Sequence, residues 1–187
     1  MLEKKYYYDD EDTEVPARET SHPKFLKYCG EDEFYFDLED GYSPFANAEG
    51  ADTLTLLEEW YYSNENCDEP IDFLKYVIET EMDYETEHME VTDRAEILKI
   101  FKNDKKDTIL VMDNVLIAVS FAQYKISGEL NPEFKRLTLI AIDRQKIITQ
   151  FQLDNIKNKV AEQEDVEEFE YNLYVLDRMK SDLNLFD

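Results

Sequence analysis

The chain has 187 residues, 43% of them hydrophobic and 13% aromatic, and carries a formal charge of −25 from 45 Asp/Glu against 20 Lys/Arg. That apolar content fills the core of one domain and sets aside an intrinsically disordered acidic chain, while the charge sets aside nucleic acid and anionic membranes, both polyanions, as direct partners. The charge is uneven: residues 1–90 hold 27 acids and 6 bases, a balance of −21, and residues 91–187 hold 18 and 14, a balance of −4.

Residues 1–24 read as an acidic, tyrosine-rich arm, with no helical period and two prolines in "YYYDDEDTEVPARETSHP". Residues 25–187 read as one domain. Phe34, Tyr35 and Phe36 in "EFYFDL" suit a short extended segment. Gly41 with Pro44, and then Gly50, mark turns, and Phe45 between them is a candidate for insertion into the core. Asp52, with Thr53 competing, is the expected N-cap of a helix over 53–62 that carries Leu54, Leu57 and Tyr61 on one face and Trp60 as an anchor. Pro70 suits the first turn of a second helix over 70–82, preceded by Cys67 or Asp68 as cap. Phe73, Leu74, Val77 and Ile78 form its apolar stripe.

Thr92 or Asp93 caps a short helix over 93–102. "TILVMDNVLIAVSFAQYKI" predicts the central buried helix over 109–126, and Gly128 suits the position just past its end. The β-branched start, "TILVM", leaves a strand as the competing reading there. Asn131-Pro132 opens a helix over 132–150, with a break expected near Thr149. A last helix spans 165–183. Six helices joined by connections of three to ten residues predict an all-α protein, mainly an antiparallel bundle, with room for a short extended segment or hairpin near the N-terminus. The expected core includes Trp60, Phe73, Val77, Leu116, Phe121, Leu139 and Leu173.

The inventory for catalysis is thin. His22 in "SHP" and His88 in "ETEHME" read as exposed loop histidines, neither beside a nucleophile it could activate. Glu79, Glu81, Asp83, Glu85 and Glu87 alternate, and an extended conformation would line them on one edge for a hard cation. Yet there is no glycine where a calcium-binding loop needs one, no HExxH, and only one ExxH half-motif. Four glycines in the whole chain make no phosphate cradle. An anion at the helix start near Asp52 would meet Glu39, Asp40 and Glu49. The turn is therefore expected to be a folding element, with no catalytic group, metal or cofactor and no small-molecule substrate. Interruptions by Asp113, Asn114, Ser120 and Gln123 argue against a membrane span, and the N-terminus lacks the apolar stretch of a secretory signal. Cys29 and Cys67 form no CxxC pair and read as reduced thiols of a cytoplasmic protein.

"GYSPFANAEGADTLTLLEEW" resembles the opening of a small uncharacterised bacterial helical family, with Gly41, Phe45, Asn47, Glu49, Ala51 and Asp52 in its turn and helix-start positions. "VLIAVSFAQYKISGELNPEF" is similar to that family's central helix and the turn after it. The likeness covers about residues 39–155, and it implies a helical bacterial protein without assigning an activity.

Charge and tyrosine content together predict a binding protein. An acidic surface complements the positive cleft of a nuclease and speeds encounter with it, and tyrosine supplies apolar contact at low entropic cost. The expected role is an immunity-type inhibitor of a basic protein such as a nuclease toxin. The alternative is a phage-type DNA mimic, either anti-restriction or anti-CRISPR. A further alternative is a carboxylate- or metal-dependent enzyme. The residues expected to meet the partner are Asp9, Asp10, Glu11 and Asp12 of the arm, Glu58, Glu59, Tyr61 and Tyr62 of the first predicted helix, and Glu81, Asp83, Tyr84, Glu85 and Glu87 of the following connector.

Overall fold

The computed structural model describes residues 6–9, 16–63, 71–81, 83, 86–103, 108–158 and 163–187. Among them are seven α-helices and no strand: α1 Pro23–Cys29, α2 Ala48–Ser63, α3 Ile71–Tyr76, α4 Arg94–Asn103, α5 Thr108–Ser127, α6 Pro132–Lys157 and α7 Gln163–Leu185. The chain is an all-α bundle. Its axis is α5, whose residues from Val115 to Ile126 are buried on every side. By length and composition α5 could cross a bilayer, its polar interruptions notwithstanding, but here most of it is buried within the protein. The broad packing partners of α5 are α2 and α6, while α7 and α4 pack on α6.

Several helix ends are where local chemistry puts them. Asn131 caps α6, its Oδ1 accepting from Glu133 N at 2.8 Å, and Pro132 takes the first helical position. Asp93 caps α4 by accepting from Glu96 N at 2.9 Å. Gly128 follows α5 at φ +66°, and its N–H reaches back to Tyr124 O at 3.0 Å. A side chain there would be strained and would also strike the ring of His22, whose nearest atoms lie 2.2 Å from an added Cβ.

Other ends differ from expectation. Helix α2 starts at Ala48, not near Asp52 or Thr53, because Asn47 Oδ1 accepts from Gly50 N at 2.8 Å and caps it earlier. Gly50 is therefore not a second turn but part of the first helical turn, pressed against Pro44, whose carbonyl oxygen would lie 2.0 Å from an added Cβ. Phe45 is buried as expected. The segment Phe34–Phe36 is not extended: Asp32 accepts from Phe34 N at 3.0 Å and tightens Glu33–Tyr35 into a 3₁₀ turn that buries Phe34 and Tyr35. With no neighbouring strand among the described residues, the aromatic strand preference has nothing to pair with. Helix α6 does not break at Thr149. That residue is buried under α7, where its hydroxyl accepts from Asn172 Nδ2 at 3.3 Å, so packing overrides its weak helix propensity. Helix α3 passes into a π-helical turn at Val77–Glu81. The expected cap at Cys67 or Asp68, and Pro70, lie outside the described residues.

Of the expected core, Phe73, Val77, Leu116 and Phe121 are buried, whereas Trp60, Leu139 and Leu173 are only partly so. Trp60 packs edge-on to Tyr61 and against Phe73 at the rim. The aromatic centre lies elsewhere. Phe186 stacks on Tyr124 at 4.0 Å between centroids and also meets Phe25 and Phe121, while Tyr35 stacks on Phe121 at 5.4 Å.

Candidate functional site

The acids expected to form one free surface divide into inward and outward groups. Lys125, in the last turn of α5, is fully buried, and an ammonium can be buried only if it is paired. Its Nζ lies 3.0 Å from Asp9 Oδ2 and 3.3 Å from Glu58 Oε1. The Asp9 and Glu58 side chains are only 2% and 14% exposed, so both are withdrawn from the accessible surface where they were expected. Asp9 N also donates to Glu58 Oε1 at 3.3 Å, and Asp9 Oδ1 accepts from the Thr20 hydroxyl. Burial pushes the Glu58 carboxyl up to about 7, against the pull of Lys125 and with a smaller upward push from Asp9.

These bonds bind the described part of the N-terminal segment to the body. Tyr7 N donates to Ile126 O at 2.9 Å, and His22 N to Lys125 O at 2.7 Å. His22 is no exposed loop residue: half-buried, it caps α1 by accepting from Lys24 N and packs against Tyr7. Tyr61 is buried as well, its hydroxyl accepting from Gln123 Nε2 at 2.9 Å.

The outward group is smaller. Glu59 is exposed and Tyr62 is 72% exposed near the end of α2, with the Tyr62 ring edge-on to Tyr8. Glu81, Asp83 and Glu87 are exposed along the connector after α3. Glu81 accepts from the Tyr76 hydroxyl, and Glu87 lies 3.3 Å from His88 Nε2. The π turn and a 3₁₀ turn at Thr86–His88 replace the extended edge that would have aligned these acids for a cation. Among the described residues no three His, Cys, Asp or Glu side chains are placed to share a metal ion. Asp10, Glu11, Asp12, Tyr84 and Glu85 lie outside the described residues.

The end of the connector is fixed by a buried cation that no sequence pattern singles out. Arg144 of α6 donates Nε to Asp113 of α5 at 2.9 and 3.0 Å, and Nη1 to the carbonyls of His88, Met89 and Val91 at 2.8, 3.3 and 3.0 Å. Burial pushes the Asp113 carboxyl up, and the guanidinium opposes that shift.

A second acidic surface appears where the turn of residues 37–42 meets the first half of α7. Tyr42 OH donates to Glu168 Oε1 at 2.8 Å, and Tyr171 OH donates to Asp40 Oδ2. Tyr42 and Tyr171 meet edge-on at 6.0 Å, and Tyr174 lies 6.4 Å beyond Tyr171. Tyr171 and Tyr174 are 42% and 61% exposed. Asp37, Glu39, Glu167, Glu168 and Glu170 are exposed along the same two segments. Burial, with help from Asp40, pushes the Tyr171 phenol up to about 12, so it stays a donor at neutral pH. The acid run of residues 162–170 was a usable signal, but counting charge by halves of the chain assigned it to the nearly balanced half.

Beside this face is a small cleft lined by Gly41, Tyr42, Asn47, Asn114, Gln145 and Asn172, among others. Its amides are engaged within the protein: Gln145 Nε2 donates to Asn114 Oδ1 at 2.9 Å, Asn114 Nδ2 to Glu49 Oε2 at 3.3 Å, and Asn172 Nδ2 to the Thr149 hydroxyl at 3.3 Å.

The chain is similar to the uncharacterised protein YfeS of Escherichia coli (strain K12), at 29% identity over 143 residues. The match covers 76% of this chain and 57% of YfeS, so the chain spans a little over half the length of that relative. No family model and no solved structure matches the chain.

Proposed function

We propose that the chain is a non-catalytic, cytoplasmic acidic protein that binds and neutralises a basic protein, in the manner of an immunity protein facing a nuclease toxin. The observation that carries this reading is the surplus of surface acid. Acids outnumber bases 45 to 20. Many of the bases are also engaged at home: Arg18 with Glu33, Lys24 with Asp187, Arg136 with Glu90 and Glu133, Lys157 with Glu170, and Lys180 with Asp143. A surface left so negative attracts a cationic cleft over a Debye length and repels polyanions.

The test begins with recovery of a basic protein bound to the chain in its native cell. Association of that purified partner is then measured against ionic strength. The reading expects the on-rate to fall steeply as salt rises, with the off-rate changing less. Recovery of no basic partner, or an on-rate indifferent to salt, sinks it. Recovery of a DNA-cleaving complex that the chain displaces from DNA would favour mimicry of DNA over the toxin reading.

A further inference from the structure

We infer that the face formed by Tyr42, Tyr171 and Tyr174 is the surface on which the basic protein docks, and that it receives an arginine-bearing segment. This rests on the preceding reading and adds the place and the chemistry of the contact.

Two side-chain chemistries coincide on this face. One is carboxylate, supplied from two separate elements: Asp37, Glu39 and Asp40 from the turn, and Glu167 and Glu168 from α7. The other is an aromatic row whose outer members, Tyr171 and Tyr174, keep much of their ring surface in solvent. An arginine is the side chain that uses both. Its planar guanidinium pairs with a carboxylate through two parallel N–H donors and stacks on a tyrosine face, whereas a lysine ammonium gains the charge attraction without the fork or the plane.

The rings are also held in advance. The Tyr42 and Tyr171 hydroxyls are tied to Glu168 and Asp40, so each tyrosine is fixed by an acid of the opposite element. Two side chains that are already ordered lose less freedom when a partner arrives. Glu170 of α7 is left out of the carboxylate set because it is paired to Lys157 at 2.7 Å. Among the described residues, Glu59, Glu81, Asp83 and Glu87 lack this pairing across two elements. Tyr62 has its ring contact with Tyr8, and Tyr76 bonds to Glu81 of its own segment.

The probe is an acetylated nine-residue arginine peptide, compared with its lysine counterpart. Each is titrated into the full chain at physiological ionic strength and followed by amide chemical shifts. The arginine peptide is expected to shift residues 37–42 and 167–175 most. The paired variant Tyr171→Ser/Tyr174→Ser removes two exposed rings and should weaken the arginine peptide about 5-fold, from two lost cation–ring contacts, while leaving the lysine peptide within about 2-fold. The pair Glu81→Gln/Glu87→Gln should weaken both peptides slightly and equally.

Shifts centred on residues 79–90, or equal affinities of the two peptides for the parent and the tyrosine variant, overturn this surface and leave the acidic-binder reading standing. Binding of neither peptide overturns both. Unchanged amide spectra outside residues 165–180 verify that the tyrosine variant is folded.

Discussion

Arg144→Met is the substitution whose consequence the structure specifies most fully. It removes the partner of a fully buried carboxylate and, with Nη1, the contacts of one nitrogen to three connector carbonyls at once. Breaking a buried ion pair from one side typically costs about 3–5 kcal/mol, because the remaining charge is stranded. The double variant Asp113→Leu/Arg144→Met removes that charge too. What it leaves is the carbonyls of Met89 and Val91 without this donor, while His88 O still accepts from Val91 N, and an unsatisfied buried acceptor costs about 1–3 kcal/mol, reduced where water reaches it. The double variant should therefore lie between the parent and Arg144→Met in urea unfolding at pH 8.

The pH response gives a second check. A carboxyl stranded in the core binds a proton more tightly folded than unfolded, so stability falls as pH rises from its unfolded value through its folded one. Arg144→Met should accordingly recover stability between pH 8 and pH 5.5, and the double variant should show no such added recovery. Hydrogen exchange of the Met89 and Val91 amides, which bond to Thr86 O and His88 O, should accelerate in both variants. A double variant as unstable as the single one, or Arg144→Met costing less than about 1 kcal/mol, would refute the assignment of Arg144 as the tie between α5, α6 and the connector.

Gly50→Ala should destabilise by about 1–3 kcal/mol through overpacking against the Pro44 carbonyl, although alanine is the better helix former; a rise in melting temperature would show that the turn yields freely. Glu58 has its carboxyl pushed up to about 7, so its contribution to stability is greatest below about pH 4.5 and is lost as pH rises to 7. Glu58→Gln should flatten that dependence; urea midpoints that fall between pH 4.5 and pH 8 as steeply in the variant as in the parent would contradict it. Trp60→Ala should cost about 1–3 kcal/mol, below the 3–5 kcal/mol of a fully buried aromatic, since Trp60 sits at the rim; a larger loss in thermal unfolding would make it the anchor its sequence position suggested.

The helices were legible because their signals are local. Asn131-Pro132, Asp93 and Gly128 act through the backbone of their own turn, and apolar spacing in the predicted helices needs no knowledge of a partner. Gly50 and Asn47 show where local reading stops. A glycine near a proline suits a turn or a tight helix start equally well, and the approach of Pro44 decides between them.

The candidate surface was less legible for a related reason. Lys125 and Glu58 stand 67 positions apart, and Tyr171 and Asp40 stand 131 apart. An acid looks the same in sequence whether a distant cation has drawn it inward or it faces solvent. Asp9, Glu58 and Tyr61 were thus placed at the surface, while the face at Tyr42 and Tyr171 was invisible until the fold joined its two halves.

The ring cluster around Phe186 sets an order of events when the chain folds. Helices α5, α6 and α7 follow one another closely and can pair through short loops. Tyr35, by contrast, must find Asp182 across 147 positions, donating its hydroxyl at 2.5 Å, and Phe25 must find Phe186 at the far end of the described chain. Closing so long a loop costs entropy before any contact repays it. The three-helix hairpins are therefore the early structure and the ring cluster is the seam that shuts last. Weakening Phe186 should leave the folding rate nearly untouched and speed unfolding, so the lifetime of the native state is governed at that seam.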